Sequence, residues 1–448
     1  MVTRVVLVRH GETNSNTLGI VQGRGSLNAP EQQSYLTDKG QKQAAAAGRA
    51  LADLPLDVAY VSPLERAKHT AQLILGARSA TLTPVLHQNL LEIDLTPWEG
   101  IQFDDIKEKF PEQYQNWQNA PEKLFIGERY PVLELFAQAE AFWAEILPKH
   151  QGQTILLVAH SGINRCLLAT AMGLAPHQYH QLQQANCGIS VVNFMGTTLA
   201  DGVQMESINL TSHLAEISGS VLPSKRKPNQ GPRLLLVRHG ETEWNRQQRF
   251  QGQIDVPLNP QGQAQAAKAA AFLADVTIDR AFSSPLLRPK DTALAILTHH
   301  SGIEIQYYDD LQEISHGLWE GKYEPEIRAE FPGQLEQWQA HPETVQMPEG
   351  ENLQQVWDRV AVTWQEIVNS VPAGETALVV AHDAVNKAIL ALLFGFGPEK
   401  FWTFKQGNGA VSVIDYPQGA DQPPVLQSMN ITTHLASGVL DKTAAGAL

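Results

Sequence analysis

Leu7-Val8-Arg9-His10-Gly11-Glu12-Thr13 recurs unchanged as Leu236-Val237-Arg238-His239-Gly240-Glu241-Thr242. In both places an apolar run, Val5 to Val8 and Leu234 to Val237, leads directly into Arg-His-Gly. That is the pattern of a buried strand ending in a tight turn. The turn carries a guanidinium and an imidazole side by side. An identical heptapeptide recurring at this range marks two copies of one domain.

The repeat extends well beyond the motif. VQG at 21–23 matches FQG at 250–252, and SPLERAKHTA at 62–71 matches SPLLRPKDTA at 284–293. LEIDLTPWEG at 91–100 matches QEISHGLWEG at 312–321. LLVAHSGINR at 156–165 matches LVVAHDAVNK at 378–387, and INLTSHLA at 208–215 matches NITTHLA at 430–436. The register slips between Gln22 and Gly40, which places an insertion in copy one around Gly25 to Tyr35. SGSVLPSKRKPNQGP at 218–232 is rich in Pro, Gly, Ser and charge, and reads as a solvated linker. The expected organisation is domain 1 over 1–217, linker over 218–232 and domain 2 over 233–448.

Composition sets outer bounds. With 448 residues, 43% hydrophobic and 18% charged, the chain reads as globular and too long for one core. A net charge of −14 argues against a nucleic-acid surface, which needs a basic face. It leaves room for a small phosphorylated partner, because a few arginines can invert the field inside a cleft. The two cysteines, Cys166 and Cys187, are too few for a disulfide framework. The opening apolar run is short for a signal peptide, and Ile389 to Phe396 is short for a membrane span. A cytoplasmic protein without a membrane partner is expected, and nothing in the sequence indicates an oligomer.

Each copy alternates strand-like and helix-like stretches. In copy one, strands are expected at Val5 to Val8, Asp57 to Val61 and Thr154 to Ala159. Helices are expected at Gly40 to Leu54, at Pro63 to Leu75 with proline in its first turn, and at Gly162 to Met172. Copy two repeats the order at Leu234–Val237, Gly262–Leu273, Pro285–Leu297, Thr376–Ala381 and Val385–Phe394. Alternation with continuous apolar strands predicts an α/β fold, with a mainly parallel sheet covered by helices on both faces. Reactive groups in such sheets gather beyond the strand C-termini. His10, Ser62 and His160 fall there, as do His239, Ser284 and His382.

The repeated polar set is Arg9, His10, Asn16, Arg66, Glu92 and His160 in copy one. In copy two it is Arg238, His239, Asn245, Arg288, Glu313 and His382. Two arginines, two histidines and a carboxylate suit phosphoryl transfer. Guanidinium forks bind phosphate oxygens bidentately. A neutral imidazole is a competent nucleophile, cations stabilise charge on the equatorial oxygens, and a carboxyl group can protonate a leaving alkoxide. No metal or other cofactor is called for, and neither an HExxH motif nor a thiolate cluster is present. Bland roles fit some repeated residues better: packing for Trp98 and Trp319, and a structural hydrogen bond for His213 and His434. Ser62 and Ser284 either donate to a phosphate or cap the helix that follows.

These motifs resemble the histidine phosphatase superfamily, also called phosphoglycerate mutase-like. The RHG turn, the SPL-x-R segment, the Glu followed by WEG, and the late V-A-H occur in that family's order, twice, over nearly the whole chain. The resemblance implies two tandem three-layer α/β/α domains and a phosphohistidine intermediate. It implies His10 and His239 as nucleophiles, and Glu92 and Glu313 as proton donors. Arg9, Arg66 and His160, with Arg238, Arg288 and His382, would form the phosphate pockets, assisted by Asn16 and Asn245. Both copies depart from the frequent His-Gly after the last strand, carrying His160-Ser161 and His382-Asp383. Copy one also lacks the Gly350-Glu351 pair, so copy two matches the pattern more closely.

Cofactor-dependent mutases of this superfamily usually carry a longer insertion after WEG. Here WEGKYEPEIRAEFPGQLEQW (319–338) runs directly into a helix-like stretch, as in the phosphatase branch. Tandem copies of this kind resemble a plant and cyanobacterial group, which implies 2-carboxy-D-arabinitol 1-phosphate or phosphoserine as substrate. A metal-independent phosphomonoesterase acting on a small acidic phosphometabolite is the expectation. The alternatives are a mutase, or a phosphometabolite-binding regulatory protein with one inactive copy.

Overall fold

The computed structural model describes residues 1–24, 34–78, 82–225 and 227–444. Most of the expected copy-one insertion, residues 25–33, lies outside the described residues. The chain forms two compact units, Met1–Pro223 and Ser224–Leu448. The division falls within the stretch expected as a solvated linker, 218–232. Its second half joins unit 2, where Lys225 Nζ donates to the Gly374 carbonyl and Gln230 N to the Pro417 carbonyl.

Unit 1 is built on strands β1 (Thr3–Arg9), β2 (Val58–Val61), β3 (Val85–Leu86), β4 (Thr154–Ala159), β5 (Ile189–Phe194) and β6 (Val203–Leu210). Their order across the sheet is β3-β2-β4-β1-β5-β6. The first four run parallel, and β5 is antiparallel to both β1 and β6. Unit 2 repeats the plan with β7 (Arg233–Arg238), β8 (Arg280–Ser283), β9 (Ile305–Tyr307), β10 (Thr376–Ala381), β11 (Val411–Asp415) and β12 (Val425–Ile431). Its order is β9-β8-β10-β7-β11-β12.

Val5, Val6, Leu7 and Val8 are all fully buried. Successive strand side chains point to opposite faces, so both faces of this sheet are covered. Helices Asp38–Leu51 and Glu65–Gly76 pack on each other, as do Pro131–Ile146 and Ser161–Met172. Unit 2 has the same pairs, Pro260–Leu273 with Leu287–Leu297 and Leu353–Ser370 with Asp383–Leu392. This is a three-layer α/β/α domain, twice. Among the described residues no helix is long and apolar enough to cross a membrane.

Register carries the functional residues to one edge. Arg9 pairs with Ala159 across β1 and β4, and Val61 pairs with Val158 across β2 and β4. Arg9-His10, Ser62 and His160 therefore leave the sheet together at its C-terminal edge. Unit 2 aligns Arg238 with Ala381 and Ser283 with Val380.

The helix after Ser62 corrects one expectation. It starts at Glu65, its counterpart at Leu287, and the prolines lie ahead of both. Leu64 is extended (φ −74°, ψ 139°) and ends the turn as an N-cap without a side-chain bond. Pro63 thus belongs to the approach, not to the first helical turn.

Candidate active site

The site begins with how the RHG turn is held. After His10 the backbone passes so close to the start of helix Asp38–Leu51 that a Cβ on Gly11 would lie 2.4 Å from the Gly40 carbonyl oxygen. A Cβ on Gly40 would lie 2.0 Å from the Glu12 carbonyl oxygen. Only glycine fits at either crossing point, and Gly240 and Gly262 repeat the pair in unit 2. Thr70 Oγ1 accepts from Gly11 N (3.1 Å) and donates to the Arg66 carbonyl (2.7 Å). One hydroxyl thereby ties the nucleophile turn to the arginine helix; Thr292 does the same in unit 2.

His10 Nδ1 is 2.7 Å from the Gly11 carbonyl oxygen. A carbonyl only accepts, so Nδ1 carries the proton and Nε2 keeps its lone pair. Burial, then the Arg66 and Arg9 guanidiniums, hold the ring well below the ordinary histidine range. It is a neutral imidazole beside cations. His239 repeats this, with Nδ1 2.7 Å from the Gly240 carbonyl and a pKa lowered by burial, Arg288 and Arg238.

His160 faces His10 with ring centroids 5.2 Å apart, as His382 faces His239. Its Nδ1 accepts from Arg66 Nε (3.2 Å), so Nε2–H donates to Ser62 Oγ (2.7 Å). Ser62 Oγ thus accepts from the second histidine and, at 3.5 Å, from Leu64 N, while the helix itself starts at the Leu64 N-cap without a side-chain cap. Unit 2 differs here. The Gln251 carboxamide oxygen accepts from Arg288 Nε (2.6 Å) and Nη1 (3.0 Å), and among the described residues His382 Nδ1 has no hydrogen-bond partner.

The arginines are anchored by carbonyls, and Arg9, Arg66 and Arg288 remain cationic at neutral pH. Arg66 donates to the Gly23 carbonyl (2.9 Å) and Arg9 to the Gln184 carbonyl (2.8 Å). Burial brings Arg9, Arg66 and Arg288 down to about 10. Arg9 Nε and Arg238 Nε are buried without a hydrogen-bond partner among the described residues. Asn16 Oδ1 accepts from Thr13 N (3.1 Å) and from Asn186 Nδ2 (3.2 Å), which turns its NH2 group away from those donors.

Glu92 sits at the start of helix Ser161–Met172, where its carboxylate accepts from Gly162 N (3.1 Å) and Ile163 N (3.2 Å). Glu313 accepts from Asp383 N (3.0 Å) and Ala384 N (3.1 Å). Burial, and then the Asp383 carboxylate, raise the Glu313 carboxyl from its ordinary value. Asp383 is itself buried, 3.1 Å from Arg238 Nη1 and 2.6 Å from Lys387 Nζ. Unit 1 has Ser161 and Arg165 at these places.

All twelve expected residues therefore lie at the two strand edges. Arg238, His239, Asn245, Arg288 and Glu313 line one cavity together with Gln251, Gly252 and His316. Sequence reading passed over several neighbours. Asn186 Nδ2 bonds the His10 carbonyl (3.0 Å) as well as Asn16, and Asn408 does the same for His239 and Asn245. The repeated Gln-x-Asn at 184–186 and 406–408 was the available signal. Glu99 and Glu320 of the WEG segments accept from the backbone of Arg24 and Gln253, pinning the loops whose carbonyls hold Arg66 and Arg288. Trp98 and Trp319 are fully buried packing residues. His213 and His434 donate to the Cys187 and Gly409 carbonyls. Among the described residues no cluster of three or more His, Cys, Asp or Glu side chains is placed to hold a metal.

The model of the histidine phosphatase superfamily (branch 1) matches residues 5–204 and 234–432. The chain belongs to the histidine phosphatase superfamily. It is a phosphoric monoester hydrolase, with phosphatases among its named relatives. Wheat (Triticum aestivum) 2-carboxy-D-arabinitol-1-phosphatase is 30% identical over 451 residues, 96% of this chain and 86% of the wheat protein. Phosphoserine phosphatase 1 of Hydrogenobacter thermophilus is 35% identical over 203 residues, 45% of this chain and 94% of that one. The solved α-ribazole phosphatase of Shigella flexneri aligns with TM-score 0.42 and 28% identity, over 46% of this chain and 98% of that one.

Proposed function

We propose that both units of this histidine phosphatase hydrolyse a small acidic phosphomonoester through a phosphohistidine. The observation that carries this is the His10 ring, with its proton fixed on Nδ1 toward the Gly11 carbonyl, its Nε2 left unprotonated, and the Arg66 and Arg9 guanidiniums close enough to hold it neutral. His239 repeats it.

In the first step Nε2 of His10 forms a bond to phosphorus while the P–O ester bond breaks. The Glu92 carboxyl delivers its proton to the departing oxygen, so the product leaves as an alcohol. Arg9, Arg66 and the Asn16 NH2 group take the phosphoryl oxygens, whose charge grows at the transition state. In the second step the Glu92 carboxylate removes a proton from water as that water attacks phosphorus. The P–N bond breaks, its electrons return to Nε2, and phosphate departs. Unit 2 runs the same steps with His239, Glu313, Arg238, Arg288 and Asn245.

The substrate class, a sugar-acid phosphate such as 2-carboxy-D-arabinitol 1-phosphate or phosphoserine, is supported by two relatives that bear such names. The cationic pocket suits a carboxylate beside the phosphate. Phosphate release with chelator present, in His10→Ala, His239→Ala and the double variant, tests the mechanism. Each single variant should lose one site's share and the double variant all turnover. Labelled phosphate quenched in alkali should remain on histidine in every protein but the double variant. Full activity in the double variant refutes the reading.

A further inference from the structure

Trp143 and Trp364 hold the same place in the two units but find different partners. Gln138 Nε2 reaches the Asn89 and Leu91 carbonyls, Arg359 Nη1 reaches those of Asp310 and Gln312, and each tryptophan lies five residues further along its helix. In unit 1, Trp143 Nε1 donates to the Leu167 carbonyl (3.1 Å) and to Thr170 Oγ1 (3.2 Å), and its ring packs on Phe194 at 4.8 Å. Unit 2 has Leu392 ten residues after His382, where Thr170 stands ten after His160, so that hydroxyl is gone. It also has Tyr416 in place of Phe194. Asn193 pairs with Arg4 and Asp415 with Arg233, and the two aromatics follow them. Trp364 Nε1 donates instead to Tyr416 Oη (2.8 Å).

A phenol that accepts a hydrogen bond still has its own proton to give. Among the described residues nothing accepts that proton from Tyr416, although the residue is only 4% exposed. Phe194 shows that the strand end packs without the hydroxyl, and burying one is unfavourable unless an acceptor reaches it. Tyr416 and Trp364 line a cavity of about 530 Å³, bounded by the second half of helix Leu353–Ser370, the end of helix Asp383–Leu392 and the turn at 420–424. That volume is in the range of small-molecule sites. Among the residues that line it none is lysine or arginine, and Asp421 alone is charged. It shares no residue with the cavity at His239. Arg233 starts β7 and Arg238 ends it, so Tyr416 lies at the opposite end of that strand from the catalytic turn.

We propose that this cavity is a second binding site, peculiar to unit 2, for an uncharged planar heteroaromatic ligand that accepts a hydrogen bond from Tyr416. The indole and phenol offer flat faces for such a ring. With no cation in its walls and Asp421 at its rim, the cavity disfavours phosphate esters and other anions, so its ligand differs in class from the substrate. The test is titration of the full-length protein, by calorimetry and ligand-observed NMR, with adenosine and nicotinamide, and with nicotinate as the anionic counterpart. At least one uncharged probe should bind with Kd below about 1 mM, and nicotinate about tenfold more weakly than nicotinamide. Tyr416→Phe, which installs the residue unit 1 carries, should weaken the bound probe about threefold to tenfold. Ala361→Trp, which fills the cavity from the helix, should abolish binding. Both variants should release phosphate as the parent protein does, which separates a lost ligand from a lost fold. No binding of either uncharged probe at about 10 mM, nicotinate bound as tightly as nicotinamide, or an affinity unmoved in Tyr416→Phe overturns the proposal.

Discussion

Replacing Asp383 by serine, the residue unit 1 has at Ser161, removes a carboxylate placed between two buried cations of unit 2. Asp383 lies 3.1 Å from Arg238 and 2.6 Å from Lys387, and all three side chains are at most 7% exposed. Stripping one partner from such a group costs about 3–5 kcal/mol. For a unit of this size that corresponds to about 6–20 °C in Tm. Lys387 limits the loss. Burial already holds its amine below the usual lysine value, and without Asp383 it falls further, so the amine can shed its charge. The folded value lies below the unfolded one, so the unfolded chain binds more protons and stability rises with pH between the two. The Tm deficit, measured by calorimetry in a His10→Ala background, should therefore be largest near neutrality and shrink toward pH 10. Asp383 also raises the Glu313 carboxyl. Its removal lowers that pKa, and the donor acts while protonated, so the alkaline limb of kcat should move to lower pH. A Tm unchanged at neutrality, or a deficit independent of pH, would refute the assignment of Asp383 as counter-ion to Arg238 and Lys387.

Three further outcomes follow from the geometry. Gly40→Ala drives a Cβ into the Glu12 carbonyl, and thermal unfolding should show a loss of about 3 kcal/mol or more. Glu92→Gln with Glu313→Gln should slow alkyl phosphates by about 10²–10⁴-fold. p-Nitrophenyl phosphate, whose phenolate leaves without a proton, should be far less affected, and equal losses would sink the donor role. His213 and His434 are brought down to about 4 and His316 to about 3, all by burial. Their folded values lie below the unfolded ones, so the unfolded chain takes up protons first as pH falls through about 6.5. Tm should drop steadily from pH 7 to pH 5, and a flat profile would contradict their burial as neutral rings.

Strands β1, β2 and β4 were legible because short, β-branched apolar runs bounded by turn residues suit strands buried on both faces. Strands β5 and β6 were not. Ser190, Asn193, Glu206 and Asn209 break their apolar pattern although all four are buried. They are accommodated by mutual bonds, Asn193 Nδ2 to Glu206 (2.9 Å) and Asn209 N to Ser190 Oγ (2.9 Å), which no periodicity announces. The long helix Pro131–Ile146 was hidden in copy one because Tyr130-Pro131 opens it in place of the Gly350-Glu351 approach. In unit 2, Asn352 caps the equivalent helix, and Arg359 binds Glu351. Arg9, His10, Asn16, Arg66, Glu92 and His160 could be read because the second copy repeated each one. Asn186 acts at one remove, through a carbonyl and another amide, and Asp383 has no counterpart to compare. Residues that support a site or set one copy apart leave the weakest trace in a repeat.

The crossing at Gly11 and Gly40 separates two things that the letters Arg-His-Gly join. The histidine is there for chemistry, whereas the glycine is there because two backbones occupy the space a side chain would need. A copy that had stopped turning over substrate would still have to keep that glycine to fold, and could let the histidine drift. Among tandem chains of this design, an intact glycine certifies the architecture of a unit and nothing more. Retired copies should be sought where the glycine stands and the imidazole beside it has gone.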